Sequence, residues 1–332
     1  MRFIKILLVC ILLFSGACIK KESPIDAILS NIDKELTQTD RDSLSSLSNA
    51  LLKEKNPVTK DKFAQEMEKF GRKAIPYIHE TYLRTTIRTD NDLLTRNIIA
   101  KMLSKSDEGI AILKEYTKAD SGPNRNFGLT GLVDTGKKDI FYPYLFSALK
   151  DDYEQNRKYA FSTLAEQNDR SIVPQLIEAL DDDSYGVRLE CANILRKYDV
   201  KESLPKLKEA FAKEKNRKDT KRPVQIIIAG SILGLGDEST KDYLINTFTN
   251  STDLTTEDIG FLSDALKGVK DKRVIKKLID ILPSDDLRQR NIAIMWLYTL
   301  TGEKLDFKSR GSLESRQAAV ENWKKWFADN FK

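Results

Sequence analysis

The chain has 332 residues, of which 40% are apolar and 32% are charged, so it can bury a sizeable core and is not compositionally disordered. Its formal net charge at pH 7 is only +5. A nucleic-acid partner normally requires a stronger and more clustered basic excess, so we expect no nucleic acid among the partners.

The amino terminus has the features of an export signal. Arg2 and Lys5 precede an apolar run from Ile6 to Phe14, which is too short to remain as a membrane-spanning helix, and small residues follow up to Ala17. We predict a signal peptide over residues 1–17. Its removal takes away two basic residues and no acidic residue, so the net charge falls from +5 to +3.

The position of Cys18 directly after Ser-Gly-Ala resembles a bacterial lipobox, with Ser15 where the usual pattern prefers Leu. The resemblance implies that Cys18 is acylated, with palmitate among its expected acyl chains, and becomes the new amino terminus. The alternative is a plain secretory signal cleaved near Ala17. Ile19 rather than Asp follows the cysteine, so the inner-membrane retention signal of enterobacteria is missing. We therefore favour an outer-membrane anchor, with the protein periplasmic or surface-facing.

Residues 18–23 are predicted to be a lipidated tether, and residues 24–108 a helical amino-terminal region with degenerate repeats. Ser23-Pro24 reads as an N-cap followed by proline in the first turn of a helix. Gly71 is expected to end a later helix. No long period-two alternation in this region indicates a strand.

The clearer repeats occupy residues 109–300. Pro143, Pro174 and Pro205 are 31 residues apart and are each expected to open a helix. Six leucines mark the first helices of successive units: Leu113, Leu145, Leu176, Leu207, Leu244 and Leu278. Arginines open three second helices and leucines follow seven residues later: Arg125, Arg157 and Arg188, then Leu132, Leu164 and Leu195. A fixed period of this length predicts an all-α fold, a right-handed α-solenoid of stacked helix pairs.

Acidic turns, Asp151-Asp152 and Asp181 to Asp183, separate the two helices of the best units, where they can cap the second helix. Together with the prolines, the Val187-Arg188 pair and the Ala192 and Leu195 core positions, this pattern resembles the short bacterial HEAT repeats named after phycobilisome lyases. The resemblance implies a ladder in which turn aspartates and second-helix arginines stabilise successive repeats: Asp152, Asp183, Arg157 and Arg188.

Residues 301–332 are predicted to be a carboxyl-terminal capping helix. Leu300-Thr301-Gly302-Glu303, followed by Phe307, Trp323 and Trp326-Phe327, is similar to the terminal unit of many exported bacterial HEAT proteins. A solenoid needs a last unit with a polar outer surface, and aromatic residues can anchor such a helix.

Two places are candidates for binding. The insertion 213–222 carries six basic and two acidic residues, among them Lys215, Arg217, Lys218, Lys221 and Arg222. Such a loop could touch anionic headgroups or an acidic partner. The second candidate is the concave surface made by successive second helices, to which we assign Tyr159, Arg188 and Glu190.

Catalysis finds little support in the sequence. A single histidine, His79, cannot make a multi-histidine metal site, and Cys191 lies in a buried helical pattern without a basic neighbour. We expect no cofactor and no metal. The favoured function is a non-catalytic, membrane-anchored scaffold that binds an unidentified envelope protein. The alternatives are an enzyme or enzyme-like subunit related to bilin-lyase HEAT proteins, acting on a small ligand, and a structural protein that contacts anionic lipid through its basic loop.

Overall fold

The computed structural model describes residues 23–218 and 221–331. The predicted signal peptide, Cys18 and most of the tether lie outside the described residues. The described chain contains α-helices, short 3₁₀ turns and no strand. The prediction of an all-α solenoid of stacked helix pairs is confirmed. The chain divides into two compact units, Met1–Tyr144 and Leu145–Lys332.

The described part of the first unit begins with a capped helix, because the Ser23 hydroxyl accepts the Asp26 N–H at 3.1 Å and Pro24 occupies the first turn. Gly71 has φ +55°, a left-handed conformation that glycine adopts without strain, and it lies just after the third helix. The helices are α1 Pro24–Asp33, α2 Gln38–Lys53, α3 Pro57–Glu68, α4 Ile75–Arg84, α5 Asp90–Leu103, α6 Asp107–Tyr116 and α7 Gly122–Val133, and α8 Lys138–Ala148 runs across the boundary between the units.

The second unit continues the alternation of first and second helices. Its helices are α9 Glu154–Glu166, α10 Val173–Glu178, α11 Tyr185–Lys197, α12 Leu204–Glu214, α13 Arg222–Gly234, α14 Lys241–Asn250, α15 Thr256–Ala265, α16 Lys272–Ile281, α17 Leu287–Thr301 and α18 Leu313–Asn330. The second helices α9, α11, α13, α15 and α17 pack on one another in chain order. This stacking places residues about one repeat apart side by side on one surface.

The repeating leucines form the core. All six that mark the first helices, from Leu113 to Leu278, have an exposed fraction of 0%, as do the second-helix leucines 132, 164 and 195. Burying one leucine side chain contributes about 1.5–3 kcal/mol, so the period seen in the sequence is the period of the packed core.

The prolines open the repeats less uniformly than expected. Pro174 and Pro205 occupy the first turn of α10 and α12, each after a short 3₁₀ turn. Pro143 instead lies inside α8, which already begins at Lys138, so the expectation that it opens a helix is wrong. In that unit the residues before the proline are α-helical rather than 3₁₀.

The last helix, α18, is held by aromatic packing. Trp323 is fully buried, and its ring centroid lies 6.2 Å from that of Tyr298 and 5.6 Å from that of Trp326. Trp326 is half-buried against the core and also contacts Phe331, so it is part of this packing rather than a free surface side chain.

Candidate functional site

The second helices are positioned by arginines that fold back onto the preceding turn. Arg157 lies in the first turn of α9, and its Nη1 donates to the carbonyl oxygens of Asp151 at 2.8 Å and Asp152 at 3.3 Å. Its Nε and Nη2 donate to the Asp182 carboxylate in the next repeat, at 2.8 and 2.6 Å. One guanidinium therefore joins its own turn to the following unit with a bidentate pair.

Asp182 is the centre of this link. Besides Arg157, its carboxylate accepts the N–H of Ser184 at 2.8 Å. The resemblance had implied Asp183 as the ladder residue, and this is corrected to Asp182. The acidic turns also cap differently from the expectation. Asp151 and Asp182 accept the N–H of the N-cap residues Tyr153 and Ser184, rather than a free N–H inside the helix.

Arg188 repeats the arrangement one unit later with another partner. Its Nη1 donates to the Asp182 and Asp183 carbonyls at 2.8 and 3.0 Å, and its Nε donates to Glu214 at 2.6 Å. The side chains of Arg188 and Glu214 are 0% and 1% exposed. The expectation that Arg188 faces a partner on the concave surface is therefore wrong, because its guanidinium is buried and forms its hydrogen bonds within the repeat array.

Further arginines share this role, and one of them, Arg290, was not predicted from the sequence. Arg125 donates to the carbonyl of Ala119 at 2.9 Å, and Arg290 donates to that of Ser284 at 2.6 Å. In each case the acceptor lies six residues before the arginine, as for Arg157 and Asp151. A buried leucine, Leu297, follows Arg290 seven residues later, as Leu164 follows Arg157, and this spacing is a sequence signal that could have found Arg290.

The other two residues assigned to the concave surface are half-buried. Glu190 on α11 accepts a hydrogen bond from the Ser162 hydroxyl of α9 at 2.7 Å, so it connects two neighbouring second helices. Tyr159 lies on α9. Neither lines the groove described below, whereas their chain neighbours Lys158 and Leu189 do.

The basic insertion is shorter and less free than its sequence indicates. Lys213 and Glu214 complete α12, and Arg222 begins α13. Arg222 pairs with Asp253 at 2.7 Å and with Asp258 at 3.1 Å. Arg217 lies 3.5 Å from Glu214. These cations are matched by carboxylates of the repeats themselves.

Asp181 forms ion pairs with cations near the start of the insertion. Lys213 Nζ lies 2.9 Å from its carboxylate, and Arg217 Nη2 lies 3.7 Å away. A hydrogen bond from Lys206 is the main cause of the lowered pKa of Asp181, with Lys213 adding to it.

The remaining cations of the insertion face solvent. Lys215 is exposed, with its ammonium 5.1 Å from the centroid of the Phe211 ring. Lys218 and Lys221 are exposed as well. The insertion thus offers three lysines to a partner rather than its full basic set.

A groove of about 540 Å³ lies at the amino-terminal ends of four successive second helices of the second unit. We call it the second-helix groove. Tyr185, Leu189 and Phe261 are among its apolar side chains, and Tyr185 is 43% exposed. Its exposed charged side chains are Glu154, Lys158, Lys221 and Glu257. Of the predicted binding residues, Lys221 and Arg222 line it.

Charged side chains of both signs line the groove. Glu154 and Lys158 come from α9, Lys221 precedes α13, and Glu257 comes from α15. Arg222 and Asp258 also line the groove, but they neutralise each other. An apolar floor between solvated charges of both signs suits a segment of another protein better than a strongly charged polymer.

The two residues considered for catalysis are remote from solvent. The Cys191 thiol is buried, and burial raises its pKa well above the ordinary value, so it does not form the thiolate that a nucleophile needs. His79 is 7% exposed, bonds the Tyr116 hydroxyl at 2.9 Å, and has its pKa lowered by burial. Neither residue lines the second-helix groove.

Comparison with protein families supports this reading of the fold. Residues 142–222 match the family model of HEAT repeats, a segment that contains the Arg157 and Arg188 links and one side of the groove. The predicted HEAT repeats are confirmed for this segment. HEAT repeats generally mediate protein–protein interaction, and proteins built from them are typically non-catalytic scaffolds. A search of curated proteins found no match.

Within residues 23–218 and 221–331, none of the helices combines the length and the apolar content that crossing a bilayer requires.

Proposed function

We propose that this protein is a non-catalytic scaffold, anchored to the membrane through Cys18, that binds a segment of an envelope protein in the second-helix groove. The observation that carries the proposal is the groove itself. Four successive second helices contribute to it, two of which, α9 and α11, belong to the segment that matches HEAT repeats. Stacked repeats commonly bind their partners on such extended surfaces.

The chemistry of the groove describes the partner. Tyr185 is the most accessible of its apolar side chains and is the kind of residue that dominates binding energy at interfaces. Lys158 and Lys221 supply positive charges to the groove, and Glu154 and Glu257 supply negative charges. We expect the bound segment to present one or two apolar side chains flanked by charges of both signs.

The anchor belongs to the proposal on the strength of the amino-terminal sequence. An acylated Cys18 would be separated from Ser23 by a few residues, which reach roughly 15–20 Å when extended. The scaffold would then stay close to its membrane, for which the residue after the cysteine favours the outer membrane. Mass spectrometry of the mature amino terminus tests this part of the proposal.

The groove is tested by capture of the partner from the protein's own envelope after crosslinking. Tyr185→Ala removes the exposed ring of the groove, and Leu313→Ala removes an exposed apolar side chain elsewhere, 59% exposed on α18. We expect a stoichiometric partner with the wild type and with Leu313→Ala, and several-fold less with Tyr185→Ala.

A third variant separates the groove from the basic insertion. Replacing Lys215 and Lys218 by Ser removes two of the exposed insertion lysines and leaves the groove-lining residues in place. Retention of the partner by this variant supports the groove. Equal capture by the wild type and Tyr185→Ala, with loss in the lysine variant, would move recognition to the insertion and refute the groove.

A further inference from the structure

Within its described residues, 23–144, the first unit exposes four large apolar side chains. The exposed fractions are 65% for Val58, 64% for Leu83, 46% for Ile87 and 48% for Leu93. They belong to the start of α3, the end of α4, the α4–α5 connection and the start of α5. Single exposed apolar residues are ordinary, but a group at one place marks an interaction surface.

Hydrogen bonds show that these residues share one end of the unit. The Lys60 ammonium donates to the Leu51 carbonyl at 2.6 Å and to the Thr95 hydroxyl at 2.7 Å, which joins the end of α2 to the starts of α3 and α5. Arg84, next to Leu83, donates to Asn49 of α2 at 2.8 Å. We call this surface, Val58 with Leu83, Ile87 and Leu93, the apolar end.

Ion pairs identify the opposite end. Arg72, just before α4, lies 3.4 Å from Glu35, just after α1, and 3.2 Å from Glu108 at the start of α6. Lys73 lies 3.1 Å from Asp40 at the start of α2. Thus α1 ends where α2, α4 and α6 begin.

The start of α1 therefore lies toward the apolar end. This helix packs against α4 and α6 and runs antiparallel to both, so Ser23 lies at the end where α4 and α6 finish. The residues that precede Ser23, including Cys18, join the folded unit on the side that exposes the four apolar side chains.

We infer that the apolar end lies against the lipid bilayer that holds the acyl anchor. The inference rests on the proposed acylation of Cys18, because that anchor would bring this end within roughly 15–20 Å of the bilayer. Apolar side chains can enter the headgroup and acyl boundary, where their buried apolar area adds to membrane binding.

The charges around the apolar end agree with a membrane surface. Lys53, Lys55 and Arg88 are exposed there, and cations near a bilayer are attracted by anionic headgroups. Among the neighbouring acids, Asp92 is engaged in the capping box of α5 with Thr89, and Glu54 accepts the N–H groups of Lys55 and Asn56. Asp90 remains exposed, so the contact is mildly rather than strongly basic.

Depth measurements on the full mature protein test the inference. The acylated protein is reconstituted into vesicles of phosphatidylethanolamine and phosphatidylglycerol, with an environment-sensitive fluorophore on Ile87→Cys or, as control, Lys34→Cys. Lys34 is exposed directly after α1, at the opposite end. Cys191 is buried and does not compete for the label. We expect several-fold stronger quenching by spin-labelled lipid at position 87 than at position 34.

A second variant removes the contact without a label. In the unacylated protein, Leu83→Ser combined with Leu93→Ser should lower vesicle binding by about tenfold, since these side chains would leave the acyl boundary. Leu313→Ser, equally exposed on α18, should leave vesicle binding unchanged.

The outcomes separate the inference from the proposed function. An aqueous label at position 87 on a protein whose Cys18 is acylated would overturn the membrane contact and leave the anchor intact. A label shielded from iodide but not reached by lipid would also overturn it, in favour of a protein cover such as a second copy of this chain. If Cys18 carries no acyl chain, the proposed anchor is refuted. Sedimentation of the unacylated protein with the same vesicles then tests separately whether the apolar end binds a bilayer. Absence of binding would refute the membrane contact.

Discussion

The guanidinium of Arg188 and the carboxylate of Glu214 form an ion pair that is almost completely buried, with Nε and Oε1 2.6 Å apart. The pair joins α11 to the end of α12. Arg188 also donates to two carbonyl oxygens of the preceding turn, so one side chain connects three consecutive segments of the repeat array.

Removing one partner of this pair should be costly, because the other charge stays buried. We expect Glu214→Gln to lower the free energy of unfolding by about 3–5 kcal/mol in urea denaturation followed by circular dichroism. Glu238→Gln is the control, since its ion pair with Lys241 is exposed, and should cost less than about 1 kcal/mol. Equal losses in the two variants would contradict the structural role given to Arg188.

Two helical glycines should respond oppositely to alanine. A Cβ at Gly109 would lie 2.1 Å from the Leu103 carbonyl oxygen, whereas one at Gly260 would meet nothing within 4 Å. We expect Gly109→Ala to destabilise the protein by about 1–3 kcal/mol or more and Gly260→Ala to stabilise it by roughly 0.5–1 kcal/mol. Thermal unfolding of both variants tests the close approach of Gly109 to Leu103. Stabilisation of the protein by Gly109→Ala would contradict that approach.

Acid should weaken one link between repeats. Lys208 of α12 pairs with Asp237 in the turn before α14, and this contact, with hydrogen bonds from Ser239, lowers the pKa of Asp237 from 3.8 to about 2. Because the folded-state pKa is depressed, the stabilisation is complete above pH 3.8 and is lost as the pH falls toward 2. The stability difference between the wild type and Asp237→Asn should shrink over that window. A constant difference would contradict the pairing.

At alkaline pH, Lys60 should change the stability of the folded protein. Its ammonium is buried between the Leu51 carbonyl and the Thr95 hydroxyl, and burial lowers its pKa below 10.5. The unfolded chain then binds more protons between the two pKa values, so the Lys60 contribution to stability rises with pH until 10.5 is passed. Urea midpoints from pH 7 upward should show this gain in the wild type and not in Lys60→Met. Lys62→Met, at an exposed neighbour, should follow the wild type, and parallel curves for all three would refute the prediction.

The ladder arginines show how far sequence reasoning extends. The positions of Arg157 and Arg188 within the repeat could be predicted, because the residues that build a repeat recur with its period. The partners of these two arginines could not be predicted. Asp182 rather than Asp183 accepts from Arg157, since the geometry of the turn decides which of three adjacent carboxylates faces the preceding arginine. Glu214 was not considered because it lies in a segment that reads as a charged loop, whereas in the structure it ends α12.

By itself, the sequence determined the helical class, the repeat period and the positions of the core leucines, since these follow from local spacing and from the need of each helix pair to bury its apolar side. Only the tertiary structure decided which charged residues remain free for a partner. The second-helix groove combines residues of α9, α11, α13 and α15, and the apolar end combines residues of three helices and a connection. Such surfaces depend on how distant segments stack, because neighbouring repeats either neutralise a charge, as for Arg222, or leave it in solvent, as for Lys221.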